Sequence, residues 1–346
     1  MEIIKNNNGF PYSWKAGRVE QLIRSILENK ARQQLNVNRV MIINPTWLHE
    51  TNILDNIREV NPDFIICHNF VDPVVLSVFD SIEKSGVPYI ILGNSKQFRI
   101  DFWAMVCDLY FQDYNDNELL MKSTARKYIC LNRKPHPHRV TLVEELQKAN
   151  VFAQGYVSLG LPGDAAITVD TEFTEEQGIS DEYSTLDKDE AFVSHKIRND
   201  IFSLGDMQVW NNSYLCLVTE TEFANTDPDN FFTSEKTFKP IIGMRPFFVY
   251  GQPHLRQYLK DEGFDIFEDI FDYSSLPAEM PKYIHTQELL YAKVAIDAIN
   301  RVNALHGLEW SYKRLLPRLK QNKQQFHSYV YKQWDKLNNL DLRNYV

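Results

Sequence analysis

Apolar residues recur along this chain at two spacings, and the alternation between them predicts the fold. Val19, Leu22, Ile23 and Ile26 share one face of a helix over residues 17–34. A β-branched run at 39–44 (RVMIIN) reads as a strand, followed by a helix near 52–61 and a second strand at 63–67. A helix at about 73–85 leads through Gly86 and Pro88 to a strand at 89–92. Residues 98–105 then read as helix and 109–112 as a further strand. Strands alternating with helices across short loops predict a parallel sheet with helical crossovers.

The second half repeats the theme. Residues 113–126, rich in Asn and Asp, read as a linker before a strand at 127–132 (KYICLN), a basic loop RKPHPHR and a helix at 140–149. A strand is expected at 151–159, and residues 164–196 are acidic and aperiodic, as in an insertion or long loop. Residues 209–218 (VWNNSYLCLV) form the next expected strand, closed by Glu220. In 230–253 (NFFTSEKTFKPIIGMRPFFVYGQP), Thr233 or Ser234 can cap a helix starting near Glu235. Pro240 is expected to kink that helix, and Gly243 to end it in the left-handed conformation. Phe247–Tyr250 reads as a buried strand. A short helix at 255–260, a strand at 264–267 (FDIF) and long helices at 287–303 and 312–334 complete the pattern. The expected organisation is an N-terminal domain over 1–120, a C-terminal domain over 121–305 and a terminal helical segment, 306–346, long enough to return to the first domain.

Composition narrows the function classes. A chain of 346 residues, 44% hydrophobic, can bury two ordinary cores. Its net charge of −9 argues against sequence-independent binding of polyanions. Cys67, Cys107, Cys130 and Cys216 lie in apolar runs with no C-x-x-C spacing, and read as reduced core residues. The first residues lack an apolar stretch of signal-peptide length, and no segment reads as membrane-spanning. A cytoplasmic protein without a membrane partner is therefore expected, in a host cytoplasm if the chain is phage-encoded.

Ligand sites of open parallel sheets form beyond the carboxyl ends of strands. In the first half that rule selects His49, Glu50, His68, Asn69, Asp72 and Asn94. Each also has an ordinary explanation; Asp72, for instance, suits a helix cap before Pro73. No G-x-G-x-x-G follows the first strand, which weakens a dinucleotide reading of this half. In the second half, Arg133, Lys134, His136, His138 and Arg139 crowd one strand-to-helix loop, where a diphosphate would be expected. Glu235 and Lys236 occupy the first turn of a helix, whose positive end attracts anions. Two histidines without a third ligand do not make a metal site. The triplets Asp187-Lys188-Asp189 and Asp227-Pro228-Asp229 follow no clear strand, so a metal-binding D-x-D reading is set aside.

The order Ser213–Val218, Glu220, Ser234-Glu235-Lys236, Gly243, Pro246, Gly251 resembles the donor-binding segment of GT-B glycosyltransferases. It is most similar to the fucosyltransferases and more distantly to the exostosin-like enzymes. The likeness covers about the second half of the chain. S-E-K stands where that family has T-E-K, and T-E-T where it has F-E-N, so the donor sugar is unassigned. The resemblance implies an α/β fold of two Rossmann-like domains whose parallel sheets face a central cleft. It implies a nucleoside-diphosphate sugar as donor substrate, without further cofactor, and places Asn132, Arg133, Arg139, Glu220, Ser234, Glu235 and Lys236 around it. Glu50, His68 or Asp72 would take the proton of an acceptor hydroxyl, with inversion and no metal. S-E-K-T-F-K-P-I with the following G and P-F also looks like glycosyltransferases carried by tailed phages, so the acceptor is a glycan or a modified DNA base. For DNA, the first half offers only Lys96, Arg99 and Trp103. Two other classes stay open: a non-catalytic nucleotide- or carbohydrate-binding protein of this fold, and a virion or assembly protein without a ligand.

Overall fold

The computed structural model describes residues 1–5, 15–44, 53–69, 76–93, 97–111, 114–123, 126–132, 135–160, 166–168, 204, 207–224, 232–277, 283–305 and 307–346. It is an α/β structure with two sheets. The first part contains β1 (Glu2–Lys5), α1 (Lys15–Gln34), β2 (Arg39–Ile43), α2 (Ile53–Val60), β3 (Phe64–Asn69), α3 (Leu76–Ser85), β4 (Tyr89–Gly93), β5 (Phe98–Arg99) and α4 (Phe102–Phe111). The rest contains α5 (Asp116–Leu119), β6 (Arg126–Asn132), α6 (Pro137–Lys148), β7 (Gly155–Gly160), β8 (Ala166–Thr168), α7 (Met207–Asn211) and β9 (Ser213–Thr219). It continues with α8 (Glu235–Ile242), β10 (Phe247–Tyr250), α9 (Pro253–Asp261), α10 (Ile284–Asn303) and α11 (Leu308–Asn339). By compactness the chain forms two units: 1–106 with 227–232 and 330–346, and 107–226 with 233–329. The division falls inside α11, between Tyr329 and Val330.

In the first unit five parallel strands lie in chain order, β1-β2-β3-β4-β5. Both faces are covered, because residues of either parity are buried: Val40, Ile42, Phe64 and Ile66 on one side, Met41, Ile43, Ile65 and Cys67 on the other. Ile53 and Ile57 of α2 and Val78 and Ile82 of α3 pack against the second set. Asn61 ends α2 at φ 48, the left-handed geometry that asparagine tolerates.

The second sheet has the order β10-β9-β6-β7-β8, parallel except for the antiparallel β8. The chain starts in the middle at β6, builds outward through β7 and β8, then returns to add β9 and β10 on the other side. Strand order therefore reverses between β6 and β9. Every residue of β9 and β10 is buried.

Several expectations need correction. The segment expected as helix then strand, 98–112, is instead the short β5 followed by α4. Phe102–Cys107 are buried without a polar face, so no helical period shows. The run at 209–218 divides into the end of α7 and β9. No strand forms at 264–267, where Phe267 turns the chain at φ 57. Helix α8 runs through Pro240 to Ile242, and Gly243 sits at φ −73, with Met244 next to it at φ 52. Glycine serves at 243 because a Cβ would lie 2.9 Å from both the Lys239 carbonyl and the Trp210 ring. Most of 164–196 lies outside the described residues, apart from β8. All four cysteines are buried and free.

The second unit is pinned by one buried arginine in the turn before β10. Arg245, fully buried, donates to the carbonyls of Leu119, Trp210, Ser213, Gly243 and Met244 and to the Tyr312 hydroxyl. Its guanidinium also lies 5.3 Å from the Tyr312 ring centroid. One rigid fork thus serves α5, α7, β9, the turn before β10 and α11. Arg245→Met, similar in length but unable to donate, leaves these carbonyls buried and unmet. It is expected to lower the urea-unfolding free energy by at least about 3 kcal/mol. A loss well under about 1 kcal/mol would show that this network is not the pin of the unit.

Candidate functional site

The carboxyl ends of β6 and β9 meet at the strand-order reversal, the position at which α/β sheets leave a crevice. Asn132 ends β6 and is fully buried. Its Nδ2 donates to the Ser158 carbonyl of β7 at 2.9 Å, and its Oδ1 accepts from Thr219 Oγ1 of β9. Asn132 therefore ties three strand ends together.

Helix α6 starts after His136, with Pro137 in its first turn, where the missing N–H costs nothing. That start directs His138 and Arg139 onto the end of β9. His138 Nε2 donates to the Glu220 carbonyl at 2.8 Å, since a carbonyl can only accept. Arg139 donates to the carbonyls of Thr219 and Glu220 at 3.1 and 3.3 Å. Both side chains are buried. Burial, reinforced by the Arg139 charge, lowers His138 to about 3, so its ring is neutral. The His138 ring is stacked on His136, Phe223 and Tyr250.

The side chain of Glu220 points to the other partner. Its carboxylate, fully buried, accepts from the Ser234 N–H at 3.2 Å, Ser234 Oγ at 2.6 Å, the Thr221 N–H at 3.2 Å and Thr237 Oγ1. Ser234 is the cap of α8 and accepts from the Lys236 N–H at 3.2 Å. Glu220 thus places a negative charge at the positive end of α8. Gly251 allows the approach, because a Cβ there would stand 3.2 Å from the Glu220 Cβ.

Glu235 and Lys236 follow the cap. The buried Glu235 carboxylate meets Lys236 Nζ at 2.7 Å, and the Lys236 side chain keeps 30% of its exposure. Burial alone would raise Glu235, but Lys236 and Lys239 outweigh it and hold the group below its ordinary value. Two cationic side chains, Lys236 and Lys239, act on the carboxylate of Glu235. Segments 138–139 and 234–237, nearly a hundred residues apart in the chain, meet through one residue, Glu220.

Of the residues expected around a donor, Asn132, Arg139, Glu220, Ser234, Glu235 and Lys236 gather at this place, while Arg133 lies outside the described residues. The groups of Asn132, Arg139 and Glu220 that were expected to face a ligand are engaged in bonds within the protein. Thr237 and Thr219 were missed; a hydroxyl one turn into a helix carries no distinctive signal in sequence. In the first unit, Glu50, Asp72, His49 and Asn94 lie outside the described residues. His68 is fully buried on β3, with Nδ1 3.8 Å from Glu20 of α1. Glu20 is also bonded to Arg24 at 2.8 Å and Asn44 at 2.9 Å. Burial and Arg24 hold His68 well below its ordinary range. Trp103 is buried in α4.

Two substitutions check this geometry. Glu220→Gln replaces an acceptor oxygen by an NH2 group facing donors, and is expected to cost about 2 kcal/mol or more in urea unfolding. A neutral result would mean that the carboxylate does not hold α8. His138 binds its proton more weakly in the folded than in the unfolded chain, so stability falls as pH drops from its ordinary 6.5 towards about 3. His138→Gln keeps an Nε2 donor without the titration, and is expected to flatten that decline. An unchanged slope would argue against a buried neutral ring. Among the described residues, no group of three or more His, Cys, Asp or Glu side chains could hold a metal ion, and no helix is long and apolar enough to cross a membrane. Compared with known proteins, the chain matches no family model, no curated protein and no solved structure.

Proposed function

We propose that the chain is a GT-B-type glycosyltransferase whose second unit binds a nucleoside-diphosphate sugar and transfers the sugar to an acceptor hydroxyl, with inversion and without a metal. The observation that carries this reading is the convergence of 138–139 and 234–237 on Glu220 at the strand-order reversal. Nucleotides bind α/β sheets at such reversals. Lys236 is a partly exposed cation there, suited to the charge that develops on a leaving diphosphate. Arg139 and Lys239 add buried positive charge behind it. The proton of the acceptor would pass to Glu50, His68 or Asp72 of the first unit. The acceptor is a glycan or a modified DNA base of phage type, and the acidic balance of the chain favours the glycan.

One observation favours a second reading, a non-catalytic nucleotide- or carbohydrate-binding protein of the same fold. Arg139 and Glu220 spend their polar atoms on main chain and cap, as they would in a scaffold. Turnover separates the two. A panel of nucleoside diphosphates and their sugars should raise the melting temperature, and one of the sugars should be hydrolysed or transferred. Lys236→Ala removes a partly exposed cation from the buried Glu235 carboxylate, so a stability loss of about 1–3 kcal/mol is expected. The variant is expected to stay folded while transfer is abolished. Full turnover in this variant would remove Lys236 from the mechanism, and a nucleotide-stabilised wild type without turnover would support the binding protein.

A further inference from the structure

Trp103 and Trp210 are buried, whereas Trp310, in the first turn of α11, is 61% exposed. Its ring leaves at the surface a large apolar area that contact with a partner would stabilise. The ring is held in place: the Arg314 guanidinium, one turn further along the helix, lies 4.7 Å from its centroid. Trp310 borders an open depression of about 400 Å³ together with Gly307, Leu308, Glu309 and Lys313. Gly307 enters α11 at φ 82, a left-handed conformation that a residue without a Cβ takes freely, and so keeps this wall of the depression bare. Glu309 and Lys313 are exposed and one helical turn apart, a spacing at which opposite charges ordinarily pair. Among the described residues, no ion pair or side-chain hydrogen bond joins them to each other or to another group.

The depression is remote from the edge that carries Glu220. Ser311 is bonded to the Tyr214 hydroxyl at 2.8 Å, and the Tyr312 hydroxyl donates to the Met244 carbonyl at 3.2 Å while accepting from Arg245. The start of α11 is thereby fixed to the amino end of β9 and to the turn before β10. Tyr214 and Glu220 are six residues apart, about 20 Å at the rise of a strand. The arginine that pins the second unit thus also gives the indole a rigid base, which leaves little ordering for a ligand to impose.

We infer that this depression docks a saccharide chain. A pyranose has an apolar C–H face, which suits a flat indole, and a rim of hydroxyls that both donate and accept. Glu309 would accept from such hydroxyls and Lys313 would donate to them, in charge-assisted bonds. Other partners fit the lining less well. An apolar one would strip water from two unpaired charges, which is costly. A nucleic-acid strand would meet the Glu309 carboxylate and a chain of net charge −9. The volume falls in the range of small-ligand sites and holds a short stretch of a longer chain. The inference goes beyond the transfer reaction, because the site shares no residue with the donor or acceptor positions and would hold a glycan by a part that does not react.

Isothermal titration of the full chain with linear hexasaccharides of glucose, N-acetylglucosamine, mannose and galactose tests the assignment, with a thymidine oligonucleotide alongside. Saturable binding of at least one hexasaccharide is expected. Trp310→Ala, at an exposed position and expected to keep the melting temperature, should weaken that binding about tenfold or more. Trp310→Tyr keeps a flat ring and should retain most of the affinity. Glu309→Gln and Lys313→Met should each weaken it by about threefold or more. Tyr331→Ala removes an exposed aromatic of the same helix outside the depression and should change nothing. Failure of every hexasaccharide to bind, or binding as tight in Trp310→Ala as in wild type, would overturn the site. Tighter binding of the oligonucleotide than of any saccharide would assign the surface to a nucleic acid instead. Self-association that depends on Trp310, read by sedimentation velocity, would assign it to a second copy of the chain. The nucleoside-diphosphate panel reads the opposite edge, so its failure would remove the transferase reading and leave the saccharide site standing.

Discussion

A buried carboxylate holds the second unit's carboxyl edge together. Among the described residues Glu220 has no salt-bridge partner, yet it is fully buried. An isolated charge in that position would be prohibitive, and four hydrogen bonds from the cap of α8 and the adjoining main chain replace its water. The same residue's carbonyl takes the donors of His138 and Arg139. Backbone and side chain of one residue thereby serve two helix starts. If either set of donors were lost, its own helix would lose its reference point at the end of β9.

The two sheets differ in the property that makes a crevice. In the first, strands follow chain order, so successive crossovers never part. In the second, crossovers leave β6 in opposite directions and the loops after β6 and β9 diverge. The carboxyl-end rule was applied to both halves on sequence, and only the second half has the topology that gives it force. At the carboxyl edge of the first sheet, the described residues Asn44 and His68 meet Glu20 and Arg24 of α1 in one polar set. That set is also built on parallel strands, but it is buried and already balanced in charge.

Much of the architecture was legible because parallel strands buried on both faces are runs of Ile, Val, Cys and Phe that hardly any other element imitates. The runs at β2, β3, β4, β6 and β10 stood out for this reason. Legibility failed where the same rule cuts the other way. Helix α4 is buried on every face over Phe102–Cys107 and therefore lacks a period there, and β1, four residues long, resembles any short apolar stretch. Gly243 was assigned to a backbone conformation when the constraint was a ring, Trp210, thirty-three residues away in the chain. At the site, charged residue types were legible and their orientations were not. Sequence marks Arg139 as a cation in a strand-to-helix loop, but only the fold shows its guanidinium turned onto the carbonyls of β9.

That orientation bears on how an anion could be held here. The main-chain N–H of Ser234 and the hydroxyls of Ser234 and Thr237 are spent on Glu220, so the start of α8 already has its negative charge. A diphosphate arriving at this turn would not find an unoccupied helix end. It would have to displace Glu235 from Lys236, exchanging one carboxylate for a group of greater charge. Lys239 remains behind the exchange as a buried cation that also acts on Glu235. Selectivity in such a site would follow from charge magnitude: a singly charged ligand gains nothing over Glu235, whereas a doubly charged one gains the difference. If the proposed diphosphate site is real, it would favour a pyrophosphate-sized anion over a carboxylate, by competition with the protein's own acid.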